Sequence, residues 1–291
     1  MHTELASSSA AAGAAAAAPD AATAELARLH AAAYARDGFV RVAGFLAPAE
    51  VAAALAALAE LTSPAGLARL PPAHAFFEDP ARRETLKQLQ SLHLHSAFFG
   101  ALAAPGGRAC RLAEALLGRA VSAVQNVQYF CKAPAGGAKS EPTPPHQDGA
   151  YFLLRPADAA VTLWVALDAV DDENGCVRYC VGSHRGGLLP HAPSGVLGFS
   201  REACAGAALA AALAREEPQH AAPGDLLAHD PLTVHRAGAN ASAARTRRAV
   251  GLVFYAADAV EDVEAKRLYQ QRLEERLVAE GRLLASPRGA S

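Results

Sequence analysis

The segment Pro144-Pro145-His146-Gln147-Asp148-Gly149 carries the densest chemistry in this chain. An imidazole and a carboxylate two positions apart share one face if the segment is a β-strand, and together they supply two thirds of a divalent metal site. The third ligand has to come from elsewhere. His235, in Leu232-Thr233-Val234-His235, is the best candidate. Two histidines and one carboxylate on one face of an octahedron leave three positions open, the arrangement associated with non-haem Fe(II) oxygenases. The pair is not specific by itself: the chain holds 11 histidines, and Asp148-Gly149 reads equally well as a surface turn. His229, six residues before His235, is an alternative ligand. His93 and His95 form another two-spaced pair, but no carboxylate accompanies them and they read as part of a half-buried strand.

The elements that must position these residues follow from pattern. Glu25 to Arg36 reads as a helix running into the turn Asp37-Gly38, with a short strand from Phe39 to Val42. Pro48 opens a second helix, where a missing N–H does no harm, and Val51, Leu55, Leu58 and Leu61 form its buried stripe. Leu86 to Leu94 alternates loosely and predicts a strand. Leu112 to Leu117 predicts a short helix capped by Gly118. From Val121 onward, short segments rich in Val, Tyr, Phe and Trp alternate with Gly, Pro, Asn and Asp clusters, which predicts an all-β barrel or sandwich. These segments are Val121–Lys132, Thr162–Ala169, Cys176–Val181, Asp225–His229 and Arg248–Tyr255. Ala203–Arg215 reads as an inserted helix, and Val260–Leu284 as a charged helix packed outside the barrel.

Composition narrows the class. With 291 residues, 52% of them hydrophobic, the chain can bury a large core. A formal net charge of −2 excludes a general electrostatic affinity for nucleic acid or an anionic membrane. No membrane span is legible. Five scattered cysteines without a CxxC pair read as reduced thiols in a cytoplasmic protein. Ala6 to Ala24 is an alanine-rich stretch with no Lys or Arg before Arg28, expected to be a disordered tail; organelle targeting is left open. Asn240-Ala241-Ser242 matches a glycosylation sequon and is read as coincidence.

Further blocks accompany the metal motif in order: Tyr34-Ala35-Arg36-Asp37-Gly38-Phe39-Val40, Gln128-Tyr129-Phe130-Cys131-Lys132, Pro145-His146-Gln147-Asp148-Gly149-Ala150-Tyr151-Phe152, Leu163-Trp164-Val165-Ala166-Leu167-Asp168, Glu173-Asn174-Gly175-Cys176, Gly182-Ser183-His184-Arg185, Gly224-Asp225-Leu226-Leu227 and Arg247-Arg248-Ala249. From Tyr34 to Tyr255 the chain resembles the phytanoyl-CoA dioxygenase family of Fe(II)/2-oxoglutarate oxygenases. The resemblance implies a mainly β fold with flanking helices, a double-stranded β-helix or jelly-roll, cupin-like barrel, with His146, Asp148 and His235 on Fe(II). It implies 2-oxoglutarate and O₂ as co-substrates, with an arginine soon after the second histidine gripping the distal carboxylate of 2-oxoglutarate. Arg245, Arg247 and Arg248 compete for that task; the Arg-Arg-Ala run favours Arg247, with Arg248 second. Trp164, Lys132 and Gln128 are expected to line the same pocket, although a core aromatic and an exposed lysine are the ordinary readings of the first two. Tyr151 and Phe152 are expected on the substrate side, and His184 in a structural role.

The expected activity is hydroxylation of an unactivated C–H bond in a small-molecule or acyl substrate, with release of succinate and CO₂. The presence of Asp148 favours hydroxylation over halogenation. A catalytically silent cupin-like binding protein and a Zn-dependent hydrolase on the same ligands are the rivals. The expected layout is a tail over 1–24, a catalytic domain over 25–258 and a helical extension over 259–291. Neither substrate identity nor oligomeric state follows from the sequence.

Overall fold

The computed structural model describes residues 21–79, 81–135, 141–196 and 198–279. The expected alanine-rich tail therefore falls largely outside the described residues. A helical N-terminal part comprises α1 (Ala21–Asp37), β1 (Phe39–Val42), α2 (Pro48–Thr62), α3 (Pro64–Arg69), β2 (Ala75–Phe77), β3 (Leu86–Leu89), α4 (Leu92–His95), α5 (Ala97–Leu102) and α6 (Arg108–Leu117). Then come β4 (Asn126–Lys132), β5 (Thr143–His146), α7 (Gly149–Phe152), β6 (Leu154–Arg155), β7 (Ala160–Ala166) and β8 (Val177–Cys180). The chain continues through β9 (His191–Val196), β10 (Phe199–Ala203), α8 (Ala207–Leu213), β11 (Glu216–Gln219) and β12 (Leu226–His229). It closes with β13 (His235–Ala237), β14 (Arg247–Tyr255), β15 (Val260–Glu261) and α9 (Val263–Ala279).

Two antiparallel sheets face each other. The major sheet has seven strands in the order β1-β12-β7-β14-β4-β3-β2, and the minor sheet has four, β11-β8-β13-β5. This is the expected jelly roll, a double-stranded β-helix. Central strands of the major sheet are buried on both faces, so their sequences run nearly continuously apolar. On β7, Val161, Leu163 and Val165 point outward into a large core shared with Leu58 and Leu61 of α2 and Ala109 and Ala113 of α6. Thr162, Trp164 and Ala166 alternate with them and face the barrel interior, where Trp164 and Ala166 pack with Phe39, Tyr179, Leu227 and Ala249. A charge on Leu163 would break this layer, since burying an unpaired charge costs several kcal/mol.

The helices are set by local signals. Glu50 accepts a hydrogen bond from the Ala47 amide at 2.8 Å and pairs with Arg108, so one carboxylate caps α2 and ties it to α6. Gly118 ends α6 with φ +67°. The Asp37-Gly38 turn requires glycine: φ is +85°, and a Cβ would lie 2.4 Å from Thr233 Oγ1. That turn receives Thr233 Oγ1 and the Asp230 amide on the Gly38 carbonyl, at 2.7 and 2.9 Å, and so steadies the loop leading to His235. His184 packs on the same turn with Nε2 near the Ala35 carbonyl, a structural placement.

Two expectations about elements are corrected. The strand predicted over Leu86–Leu94 stops at Leu89, because Ser91 adopts φ +58° and the chain turns into α4. His93 and His95 thus lie on a short helix rather than a half-buried strand. Helix α1 begins at Ala21, four residues before the predicted start.

Candidate metal centre

Strand β5 is the edge of the minor sheet, where Pro144 and Pro145 cost no ladder hydrogen bond. It ends at His146. Asp148 is not on a strand, as the same-face argument requires; it opens the single helical turn of α7, with φ −60° and ψ −31°. The two side chains still converge because Gln147 bends the chain between them. Gln147 is fully buried and bonds three backbone groups: Nε2 donates to the Gly187 and Leu232 carbonyls (2.9 and 2.5 Å), and Oε1 accepts from Leu189 N–H (2.7 Å). Its own N–H donates to His191 Nε2 at 3.1 Å, while His191 Nδ1 lies 2.8 Å from the Leu189 carbonyl.

His235 sits on β13 directly across from His146, their Cα positions paired in register. Each imidazole has Nδ1 at 2.9 Å from a carbonyl, that of Pro144 for His146 and of Thr233 for His235. A carbonyl only accepts, so both Nδ1 atoms carry the proton and both Nε2 atoms present a lone pair. The Nε2 atoms each lie 3.7 Å from Asp148 Oδ1. Burial pushes both histidines below their ordinary value, that of His235 strongly, so they stay neutral.

Asp148 spans the two sheets. Its Oδ2 is anchored on the major sheet, where Thr162 Oγ1 donates at 2.6 Å and His229 Nε2 lies at 3.0 Å. Thr162 and His229 are themselves paired in register between β7 and β12. Its Oδ1 faces the histidines of the minor sheet. Burial acts to raise the carboxyl, but the His229 hydrogen bond and the surrounding imidazoles outweigh it and hold Asp148 well below the usual carboxylate range. His229 in turn has Nδ1 at 2.8 Å from the Tyr179 hydroxyl. With Tyr179 donating to Nδ1, Nε2 carries the proton and donates to Asp148. His146, Asp148 and His235 each offer one ligand atom, all within 4.8 Å of one another. His229, the alternative ligand, is committed to orienting the carboxylate.

The three competing arginines separate cleanly. Arg245 binds Asp171 and Glu173, and Arg248 binds Asp168 at 2.7 Å. Arg247 is 4% exposed, has no acid partner among the described residues, and leaves Nε without a hydrogen bond. Burial lowers it to about 10, so it remains charged at neutral pH. Its guanidinium lies 5.5 Å from the Trp164 ring. Lys132 is its cross-strand partner on β4, and burial followed by the Arg247 charge pushes the lysine down to about 6. Lys132 Nζ donates to the Glu141 carbonyl at 2.6 Å. Gln128 and Trp164 flank Gly251 on the neighbouring strands, so Gln128, Trp164, Arg247 and Lys132 share one inner face. Between them Ala249 and Gly251 keep the floor low, and a Cβ on Gly251 would already meet Phe130 at 2.9 Å.

Tyr151 and Phe152 separate. The Tyr151 ring stands edge-on to His146 at 6.0 Å, whereas Phe152 packs with Leu154, Ala159 and Tyr255 away from the cluster. The sequon asparagine is buried: Asn240 Nδ2 donates to the Lys132 and Arg245 carbonyls at 3.0 and 2.7 Å, which shapes the arginine loop. A second grouping, Asp172, Cys176 and His220, is accounted for by ion pairing, since Arg178 and His220 already hold Asp172 at 2.6 and 2.8 Å. Sequence reasoning missed Thr162, Tyr179 and the bolting role of Gln147. Inward alternation on β7 and β8 was the available signal for the first two.

Comparison with known proteins agrees with this geometry. Residues 34–249 match the family model described as phytanoyl-CoA dioxygenase (PhyH). The peroxisomal phytanoyl-CoA dioxygenase of Bos taurus is 42% identical over 60 residues, covering 21% of this chain and 18% of that protein. A probable phytanoyl-CoA dioxygenase of Caenorhabditis elegans is 29% identical over 147 residues, 50% of this chain and 47% of the relative. The aligned stretches therefore span less than half of either relative. Among solved structures, the epimerase SnoN in complex with Fe3+, alpha ketoglutarate and nogalamycin RO superposes with a TM-score of 0.64 at 28% identity, over 82% of this chain and 86% of that one.

Proposed function

The chain belongs to the phytanoyl-CoA dioxygenase family, and from that premise we propose that it is an Fe(II)- and 2-oxoglutarate-dependent oxygenase that hydroxylates an unactivated C–H bond of a small-molecule or acyl substrate. The observation that carries the reading is the division of labour among charged groups. Two neutral imidazoles and one ionised carboxylate converge, and among the described residues buried Arg247 is left without an acid while its neighbours Arg245 and Arg248 are neutralised.

The donor set fits Fe(II): two nitrogen lone pairs and one carboxylate oxygen suit a facial triad with open positions. His146, Asp148 and His235 would hold the metal. Bound Fe(II), with 2-oxoglutarate and O₂, would supply the oxidising power that no side chain here can provide. The chain's own contribution is position and exclusion of water. Thr162 and His229 fix Oδ2 of Asp148 and leave Oδ1 to face the site. Arg247 offers a planar fork to a dicarboxylate's far end, with Trp164 beneath it and Lys132 and Gln128 alongside. At its depressed value Lys132 is largely neutral until an anion arrives. A Zn-dependent hydrolase would need a free general base beside the metal. Both nitrogens of His229 are occupied, which disfavours that reading.

SnoN is described as an epimerase, so family and fold leave the product open; the intact Asp148 favours hydroxylation over halogenation only. Anaerobic titration of the metal-free protein with Fe(II) and 2-oxoglutarate tests the site. A weak visible charge-transfer band is expected, lost in Asp148→Ala, weakened in Arg247→Ala and unchanged in Arg245→Ala. Absence of the band in folded, iron-loaded protein overturns the assignment. Incorporation of labelled oxygen from O₂ into product separates hydroxylation from other outcomes.

A further inference from the structure

We infer that Arg201, flanked by Tyr151 and Tyr269, is a subsite for an anionic group, carboxylate or phosphate, on the substrate. This inference rests on the oxygenase reading above and concerns a different arginine from the one proposed to grip the co-substrate. Arg201 lies on β10, two residues after Phe199, whose ring centroid is 5.6 Å from that of His146. The Tyr151 hydroxyl donates to the Arg201 carbonyl (3.0 Å) and accepts from its N–H (3.1 Å). Because the Tyr151 ring is edge-on to His146, the Arg201 backbone sits one tyrosine's length from a proposed metal ligand. Burial raises the Tyr151 hydroxyl and lowers His191, and the Arg201 charge is a smaller, lowering influence on each.

The guanidinium carbon stands 4.1 Å from the centroid of the Tyr269 ring. Tyr269 belongs to α9, and its hydroxyl bonds Ser200 next to Arg201. The helix expected to pack outside the barrel thus also walls the mouth of the site. It lies beyond residue 249, where the family match ends. An element outside the shared core, placed at the mouth, is where substrate choice can differ between relatives.

Charge completes the argument. Arg155, Arg178, Arg236, Arg245 and Arg248 all pair with acids. Among the described residues no carboxylate lies within ion-pair distance of Arg201, although it is half-buried. A guanidinium stacked on an aromatic ring keeps its edge N–H groups free for a bidentate acceptor. Carboxylates and phosphates match that fork. The rings of Phe199, Tyr151 and Tyr269 offer the remainder of the molecule an apolar, aromatic-lined approach.

The test uses the full chain loaded anaerobically with Fe(II) and 2-oxoglutarate, titrated calorimetrically with 3-phenylpropionate, phenethyl phosphate and the neutral 3-phenylpropionamide. At least one anion is expected to bind about tenfold more tightly than the amide, the scale of a charge-assisted contact. Arg201→Gln should erase that gap, Arg201→Lys should leave part of it, and the charge-transfer band should persist in both. Which anion wins distinguishes a carboxylate from a phosphate group. Equal binding of anions and amide, no binding by any of the three, or a gap that survives Arg201→Gln overturns the inference. If the band itself fails to form, the same titration on the metal-free chain still reads the anion gap, so the two readings fail separately.

Discussion

His229→Ala isolates how Asp148 is oriented. The imidazole donates one hydrogen bond to Asp148 Oδ2 at 3.0 Å, and Thr162 donates the other at 2.6 Å. A hydrogen bond to a charged group contributes about 1.5–3 kcal/mol. Thr162 retains half of the clamp, so the loss should sit at the low end, with metal affinity falling about tenfold, a change of about 1.4 kcal/mol. The double variant Thr162→Val with His229→Ala should approach a hundredfold, the upper end of the range for outer-sphere partners. Tyr179→Phe removes the donor that sets the His229 tautomer and should cost only a few-fold. His229→Gln, which can still donate to Oδ2, should recover part of the loss. Calorimetric titration of metal-free protein with Fe(II) under anaerobic conditions measures each value, and thermal melts confirm folding. Unchanged affinity in a folded double variant would refute the clamp.

Other outcomes follow from the same geometry. Gln147→Leu strands three buried backbone groups at about 1–3 kcal/mol each, so urea denaturation should show a loss of several kcal/mol, and an unchanged midpoint would show the bolt to be dispensable. Lys132 is depressed to about 6 in the fold and titrates near ~10.4 when unfolded. Between those values the unfolded chain binds the extra proton, so stability should rise with pH across that window and the slope should flatten in Lys132→Met; a matching slope in that variant counts against the assignment. Arg247→Lys keeps the charge but loses the fork, and 2-oxoglutarate binding should weaken roughly tenfold in calorimetry. Arg248→Lys, already paired with Asp168, should leave that affinity unchanged.

The strands and the two helical signals at Pro48 and Gly118 were legible because period and spacing are local properties, whereas His235 was joined to His146 and Asp148 through the family resemblance. The Arg-Arg-Ala run alone favours Arg247 over Arg245 and Arg248; the physical reason was not legible, since Asp171, Glu173 and Asp168, the acids that occupy the other two, lie more than 70 positions away in sequence. Leu86–Leu94 misled because one left-handed residue, Ser91, ends an alternation that composition alone continues. His146 and Asp148 were placed together for a reason that does not hold: a turn pinned by Gln147, not strand pleating, joins them. Tyr269 carried no signal, being one aromatic in a charged helix whose partner, Arg201, is remote in sequence.

Strand β14, the last long strand of the described chain, lies at the middle of the major sheet between β7 and β4. The ribosome therefore makes the centre of the sheet after its wings. Until Tyr255 has emerged, β1-β12-β7 and β4-β3-β2 are separate half-sheets, each with an open apolar edge of the kind that pairs with other chains. A chain stopped at residue 246 would lack the strand that joins β7 to β4, leaving the minor sheet as the link between the two halves. Strand β14 also delivers Arg247, so the nascent protein cannot present its proposed co-substrate grip before that strand is made. Joining of the major sheet and delivery of the proposed grip are thus one step, with α9 and its Tyr269 still to follow.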